Sequence, residues 1–128
     1  MSHLNGLQTM TVHVNDFAKA RQFYQKVFGG KELMADEQMG WCQLQLPDGT
    51  MFGIHIWDEN CQKAGGRAPG TVSGMVLEVA DAHAFAEEVE AAGGELTDPV
   101  EQMPWGPLGG TMADLDGNEF AFSEPMEQ

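Results

Sequence analysis

Four side chains in this sequence have the chemistry for proton transfer and sit in strand-like surroundings: His13 in "TVHVND", His55 in "FGIHIW", Glu78 in "MVLEVA" and Glu119 in "GNEFAF". A neutral imidazole with a pKa of about 6.5 takes up and releases protons at physiological pH. His55 or His13 is therefore a candidate general base, with Glu78 or Glu119 as its partner. The reaction would be a proton abstraction or an isomerisation. Each residue also has a plainer use: a hydrogen-bonded structural histidine, or a solvated strand carboxylate. The chain has no nucleophile motif, phosphate loop or cofactor fingerprint. Cys42 and Cys61 are its only thiols and lack a CxxC spacing, so a reduced protein is expected, with Cys42 in the core and Cys61 in a loop.

The elements that must position these groups come as an internal repeat. "TMTVHVNDFAKARQFYQKVFGGKEL" begins at Thr9 and "SGMVLEVADAHAFAEEVEAAGGEL" begins at Ser73. Both read as strand, Asp, helix, Gly-Gly, strand. Asp16 and Asp81 cap helix N-termini, and Phe17, Ala20, Tyr24 and Val27, like Ala82, Phe85, Val89 and Ala92, recur at helical spacing. Glycine pairs at 29–30 and 93–94 stop the helices. Short strands follow at about 32–36, 41–46 and 51–57, and at about 95–100, 111–114 and 119–123, with Asp48-Gly49 and Asp116-Gly117 as hairpin turns. The fold class is therefore α+β. One domain over 1–128 is built from two tandem βαβββ modules, about 8–57 and 73–124, joined by about 58–72. Their sheets are expected to curl around one cleft, with the helices on the convex side.

Strand alternation sorts the faces. If Val12 and Val14 face the helix, Thr9, Thr11 and His13 face the cleft. The same sorting puts Trp41, Gln43, Gly53, His55 and Trp57 in the cleft from the first module, and Gly74, Val76, Glu78, Glu119, Ala121 and Ser123 from the second. A concave site with aromatic walls and a few convergent polar groups suits a small organic molecule. Trp41, Gln43, Trp57 and Glu119 are its candidate contacts, although the two tryptophans would serve equally as packing.

Twenty acidic residues against six basic give a net charge of −14. That balance disfavours nucleic acid and anionic membranes as partners. It serves solubility, and it would also attract a cationic ligand. No apolar run approaches membrane-span length, and "MSHLNGLQTM" lacks a signal-peptide pattern, so a cytoplasmic protein is expected.

The paired modules, with "VNDFAKARQFYQKVFGG" at the first helix and "MADLDGNEFAFSE" at the last hairpin, resemble the vicinal oxygen chelate superfamily, which includes glyoxalase I, extradiol dioxygenases and bleomycin resistance proteins. The resemblance implies a homodimer, and it implies that Trp105, in a Pro/Gly-rich loop, borders the cleft as a lid. It also implies a divalent metal held from the first and last strand of each module. Carried over, those ligand positions fall on Thr9, Gly74, His55 (or Gly53) and Ala121. At best one of the four is a metal ligand, so no metal and no cofactor are expected, and metal-dependent chemistry is rejected. The function expected is metal-free binding of a small organic molecule, cationic or aromatic, as in the bleomycin resistance proteins. The alternative is a metal-independent lyase or isomerase using His55 (or His13) as general base, so whether the protein is an enzyme stays open. A third reading is a regulatory or structural subunit with a vestigial cleft.

Overall fold

A computed structural model describes residues 3–58, 60–61 and 66–126; positions 59 and 62–65, part of the expected join, lie outside the described residues. The first module is β1 (Met10–Val14), α1 (Phe17–Phe28), β2 (Lys31–Asp36), β3 (Trp41–Gln45) and β4 (Met51–Ile56). The second is β5 (Val72–Glu78), α2 (Ala82–Ala91), β6 (Glu95–Gln102), β7 (Leu108–Ala113) and β8 (Glu119–Ser123). Two four-stranded sheets result, ordered β1-β4-β3-β2 and β5-β8-β7-β6. In each, the first and last strands of the module pair in parallel and the rest pair antiparallel. The expected α+β pair of βαβββ modules is what the chain adopts.

Local chemistry sets the elements. The Asp16 carboxylate accepts a hydrogen bond from the Lys19 amide at 3.1 Å and Asp81 accepts one from the Ala84 amide at 3.0 Å, satisfying amides that a helix start leaves free. α1 buries Phe17, Ala20, Phe23, Tyr24 and Val27, one stripe at helical spacing, and Gly29 at φ 64° ends it in the left-handed region. The apolar strand positions Val14, Cys42, Leu44 and Ile54 are fully buried, opposite the polar face.

The two modules share one core. The Phe52 ring lies 5.0 Å from Tyr24 and 6.1 Å from Phe120 of the other module, and Phe28 lies 5.6 Å from Phe120. Polar ties cross the same boundary: the Tyr24 hydroxyl donates to Asp114, and the Asn118 side chain donates to the His13 carbonyl at 3.0 Å. The second tie fixes the end of β1 where His13 stands.

Three strands depart from the sequence reading. β7 starts at Leu108 rather than 111, because "GPLGG" resembles loop yet pairs with β6 as far as Gln102. β6 runs through Pro99, which an edge strand tolerates since no neighbour needs its N–H. β5 carries a register shift between Val72 and Val76, which interrupts the strict alternation assumed for Gly74.

Candidate functional site

The polar face of the first sheet gathers the expected residues. In the parallel β1–β4 pair His13 stands opposite His55, and in the β3–β4 pair Trp41 stands opposite His55 and Gln43 opposite Gly53. The imidazole centroids are 5.5 Å apart at 72°. Trp57 meets His13 edge-on at 5.3 Å and Trp41 meets His55 at 5.9 Å. Gly53 is what lets the Trp41 ring lie flat on this face: a Cβ there would come within 2.5 Å of the ring.

The join completes the site. Asp58 accepts hydrogen bonds from the Asn60 amide at 2.9 Å and the Cys61 amide at 3.1 Å, capping the helical turn that carries Cys61. Cys61 is 4% exposed, and its Sγ lies 3.3 Å from His55 Nδ1 and 3.3 Å from Asp58 Oδ1. The Gly66 amide donates to the Cys61 carbonyl at 2.7 Å. A Cβ on Gly66 would come within 2.7 Å of that carbonyl oxygen and of the His13 ring, so this close approach needs glycine. An open cavity of about 1210 Å³ lies here, lined by His13, His55, Asp58, Cys61 and Arg67, with Gly74 and Asn118 from the second module.

Burial, and secondly the charge of His55, lowers the His13 pKa from its ordinary value, favouring the neutral imidazole. The bond from Cys61, with backbone amides, lowers that of Asp58. Burial raises the Cys61 thiol, so it is not set up as a nucleophile, which needs a depressed pKa and access. One carboxylate and one guanidinium, Asp58 and Arg67, face the same space, so the overall acidity is not concentrated in the lining.

The other candidates stand apart from this cluster. Glu78 lines a second cavity of about 630 Å³ with Phe28, Leu46 and Phe85, whereas His13 lines the first. Glu119 pairs with Ala113 on β8 and lines neither cavity. Trp105 is 60% exposed and lines neither. Nor do Ala121 and Ser123 line the cavity beside the histidines, so its walls are the first sheet with its β2–β3 turn, the join, the start of β5 and Asn118. Cys61, Asp58 and Arg67 were not singled out as site residues in the sequence. The available signal was the helix-capping pattern "DENC" directly after a cleft strand.

The four positions at which the superfamily resemblance implies a metal do not fit one. Gly53 and Gly74 have no side chain and Ala121 offers a methyl group. Thr9 lies just before β1 with its hydroxyl on the Met10 carbonyl. His55 pairs with His13, four residues beyond Thr9 and so about 13 Å along the strand. No step is derived through a metal at those positions.

Comparison with known proteins agrees with this architecture. A family model described as the glyoxalase/bleomycin resistance protein/dioxygenase superfamily matches residues 6–122. A member of that superfamily from Sphaerobacter thermophilus DSM 20745 superposes with a TM-score of 0.77 at 26% identity, covering 95% of this chain and 98% of that one. A glyoxalase-related enzyme from Fulvimarina pelagi gives 0.77 at 22%, covering 95% and 89%. TnmS3, an antibiotic-binding protein from Streptomyces sp. CB03234, gives 0.74 at 22%, covering 98% and 100%. No curated protein sequence matches. With its paired modules and a family match over nearly its whole length, the chain belongs to the glyoxalase/bleomycin resistance protein/dioxygenase superfamily.

Proposed function

We propose that this protein binds a small organic molecule in the cavity beside His13 and His55, and that binding of this molecule does not depend on a metal ion. The observation that carries this reading is the cavity itself, about 1210 Å³ with two imidazoles in its wall. The Trp57 and Trp41 rings stand directly behind them. Neither tryptophan, nor Gln43, lines the cavity itself, but two imidazoles among a few polar groups favour a flat, hydrogen-bonding ligand. One carboxylate and one guanidinium in the lining, Asp58 and Arg67, favour an aromatic ligand over one selected only for positive charge. The antibiotic-binding neighbour supports sequestration by this fold. The two buried free thiols support a reducing, cytoplasmic setting. Among the described residues, no helix is long and apolar enough to cross a membrane.

Tryptophan fluorescence titration of metal-free protein against aromatic and cationic metabolites and drugs tests the proposal. Saturable quenching that weakens in His55→Ala supports it. A broad panel without response removes it.

A second reading is favoured by one observation, the lowered pKa of His13. A neutral imidazole facing a cavity is the form that accepts a proton, so a metal-independent lyase or isomerase with His13 or His55 as base has a site to work in. Under that reading His55→Ala abolishes turnover, whereas under the first it changes affinity alone.

A further inference from the structure

The groups nearest His55 are not the carboxylates expected of an acid–base pair. His13, His55 and Cys61 present two imidazoles and a thiol whose donor atoms all lie within 4.8 Å of one another. The Cys61 Sγ to His55 Nδ1 separation is 3.3 Å. In a tetrahedral zinc site, with Zn–S and Zn–N bonds of about 2.3 and 2.0 Å, adjacent sulfur and nitrogen ligands stand about 3.5 Å apart. The thiol and one imidazole are thus already at ligand spacing, and a shift of about 1 Å would bring in the other. We propose that His13, His55 and Cys61 form a binding site for a borderline-soft divalent ion, zinc being the type case, with the remaining coordination position open to the cavity.

Three independent features support a built site. The donors come from three separate segments, β1, β4 and the turn after β4, and each is held. The parallel register fixes His13 against His55. The Asp58 cap holds the Cys61 turn and its amide donates to Cys61 Sγ at 3.4 Å. The His13 ring bonds to the Arg67 backbone, the kind of outer contact that orients a ligating imidazole. The donor set also selects: nitrogen and sulfur suit zinc, cobalt and nickel, whereas magnesium and calcium require oxygen. Cys61, 4% exposed, faces the histidines rather than bulk water. The ligand set shares His55 with the one the superfamily resemblance implies but takes its other two donors, His13 and Cys61, from outside it; Thr9, Gly74 and Ala121 take no part, and binding of the ion is independent of any organic ligand.

The test uses the untagged full chain, reduced and stripped of metal, with no organic ligand present. Titration with zinc chloride followed by calorimetry should give one ion per chain, and the melting temperature should rise with zinc but not with magnesium. Cobalt(II) should produce a thiolate-to-metal charge-transfer band in the near-ultraviolet, displaced by zinc. Cys61→Ser should abolish that band and weaken zinc binding by at least about tenfold. His13→Ala should weaken zinc binding similarly, while Cys42→Ser and His83→Ala should leave band and affinity intact. Zinc should also slow alkylation of Cys61 in the unmodified protein, a readout that stands even if Cys61→Ser does not fold. Absence of a cobalt–thiolate band in the folded wild-type protein, or alkylation of Cys61 at the same rate with and without zinc, overturns the proposal. Organic-ligand binding measured by tryptophan quenching without metal is unaffected by either result, so the two proposals fail separately.

Discussion

Tyr24 is the only tyrosine in the chain and is completely buried, with its hydroxyl donating to Asp114 across the module boundary. Burial, then the Asp114 carboxylate, pushes its phenol well above the usual value. The sign follows from linkage. The unfolded chain ionises Tyr24 at about pH 10, while the folded chain keeps the proton, so its contribution to stability is full below about pH 10 and declines as pH rises beyond it. Denaturant midpoints measured against pH should therefore fall more steeply above pH 10 in the wild type than in Tyr24→Phe. At neutral pH that substitution should cost about 1.5–3 kcal/mol, the range for a bond to a charged group. Tyrosinate absorbance reports this one residue directly. In the site, Gly53→Ala would force the Trp41 ring off His55, since the added Cβ has no room. Its expected signature is altered tryptophan emission and weakened ligand quenching, with circular dichroism unchanged. Cys61 shows why single residues were only half legible. The histidines could be put in one cleft from strand alternation, but Cys61 reaches His55 only because Asp58 turns the join back, a tertiary event that no periodicity encodes.

The elements were legible because each obeys local rules. Asp16 and Asp81 cap their helices as their positions in the repeat require. Asp16→Ala and Asp81→Ala should each lower stability by about 1 kcal/mol, read from denaturant unfolding, with exchange protection lost first in the opening turn of the affected helix. Where the chain departs from local rules, the sequence reading stopped short. Gly109 and Gly110 lie inside β7, Pro99 inside β6 and the register shift inside β5. Pairing with neighbouring strands overrides weak intrinsic preference at the two glycines, whereas Pro99 and the β5 shift fall where the ladder is interrupted. The β5 irregularity accompanies a separation of two residues that strand alternation sorted to one cleft, His13 and Glu78. His13 lines the first cavity and Glu78 the second, and both modules contribute to each.

For the whole molecule, the aromatic core turns two incomplete units into one. It also leaves Val76, on the second sheet, 69% exposed. We infer that a second copy covers it, forming a homodimer in which both polar faces are enclosed. Light scattering with size-exclusion chromatography should give twice the 13.9 kDa chain mass. Val76→Arg should shift the protein to monomer, because an unpaired charge in an enclosed face is not tolerated. A wild type that stays monomeric at high concentration ends this reading. With a charge of −14 per chain, two copies also repel one another, so added salt should strengthen the dimer rather than weaken it.

The aromatic core that crosses the modules also bears on the chain as two polypeptides. Tyr24, Phe28 and Phe52 belong to one half and Phe120 to the other, as do the partners in the Tyr24–Asp114 and His13–Asn118 bonds. Neither half can satisfy those groups alone, yet among the described residues no strand pairing crosses between the halves. A break in the join would therefore leave two fragments with intact sheets and complementary sticky surfaces. Such fragments should recombine without a tether, which makes this small fold a natural split-protein reporter.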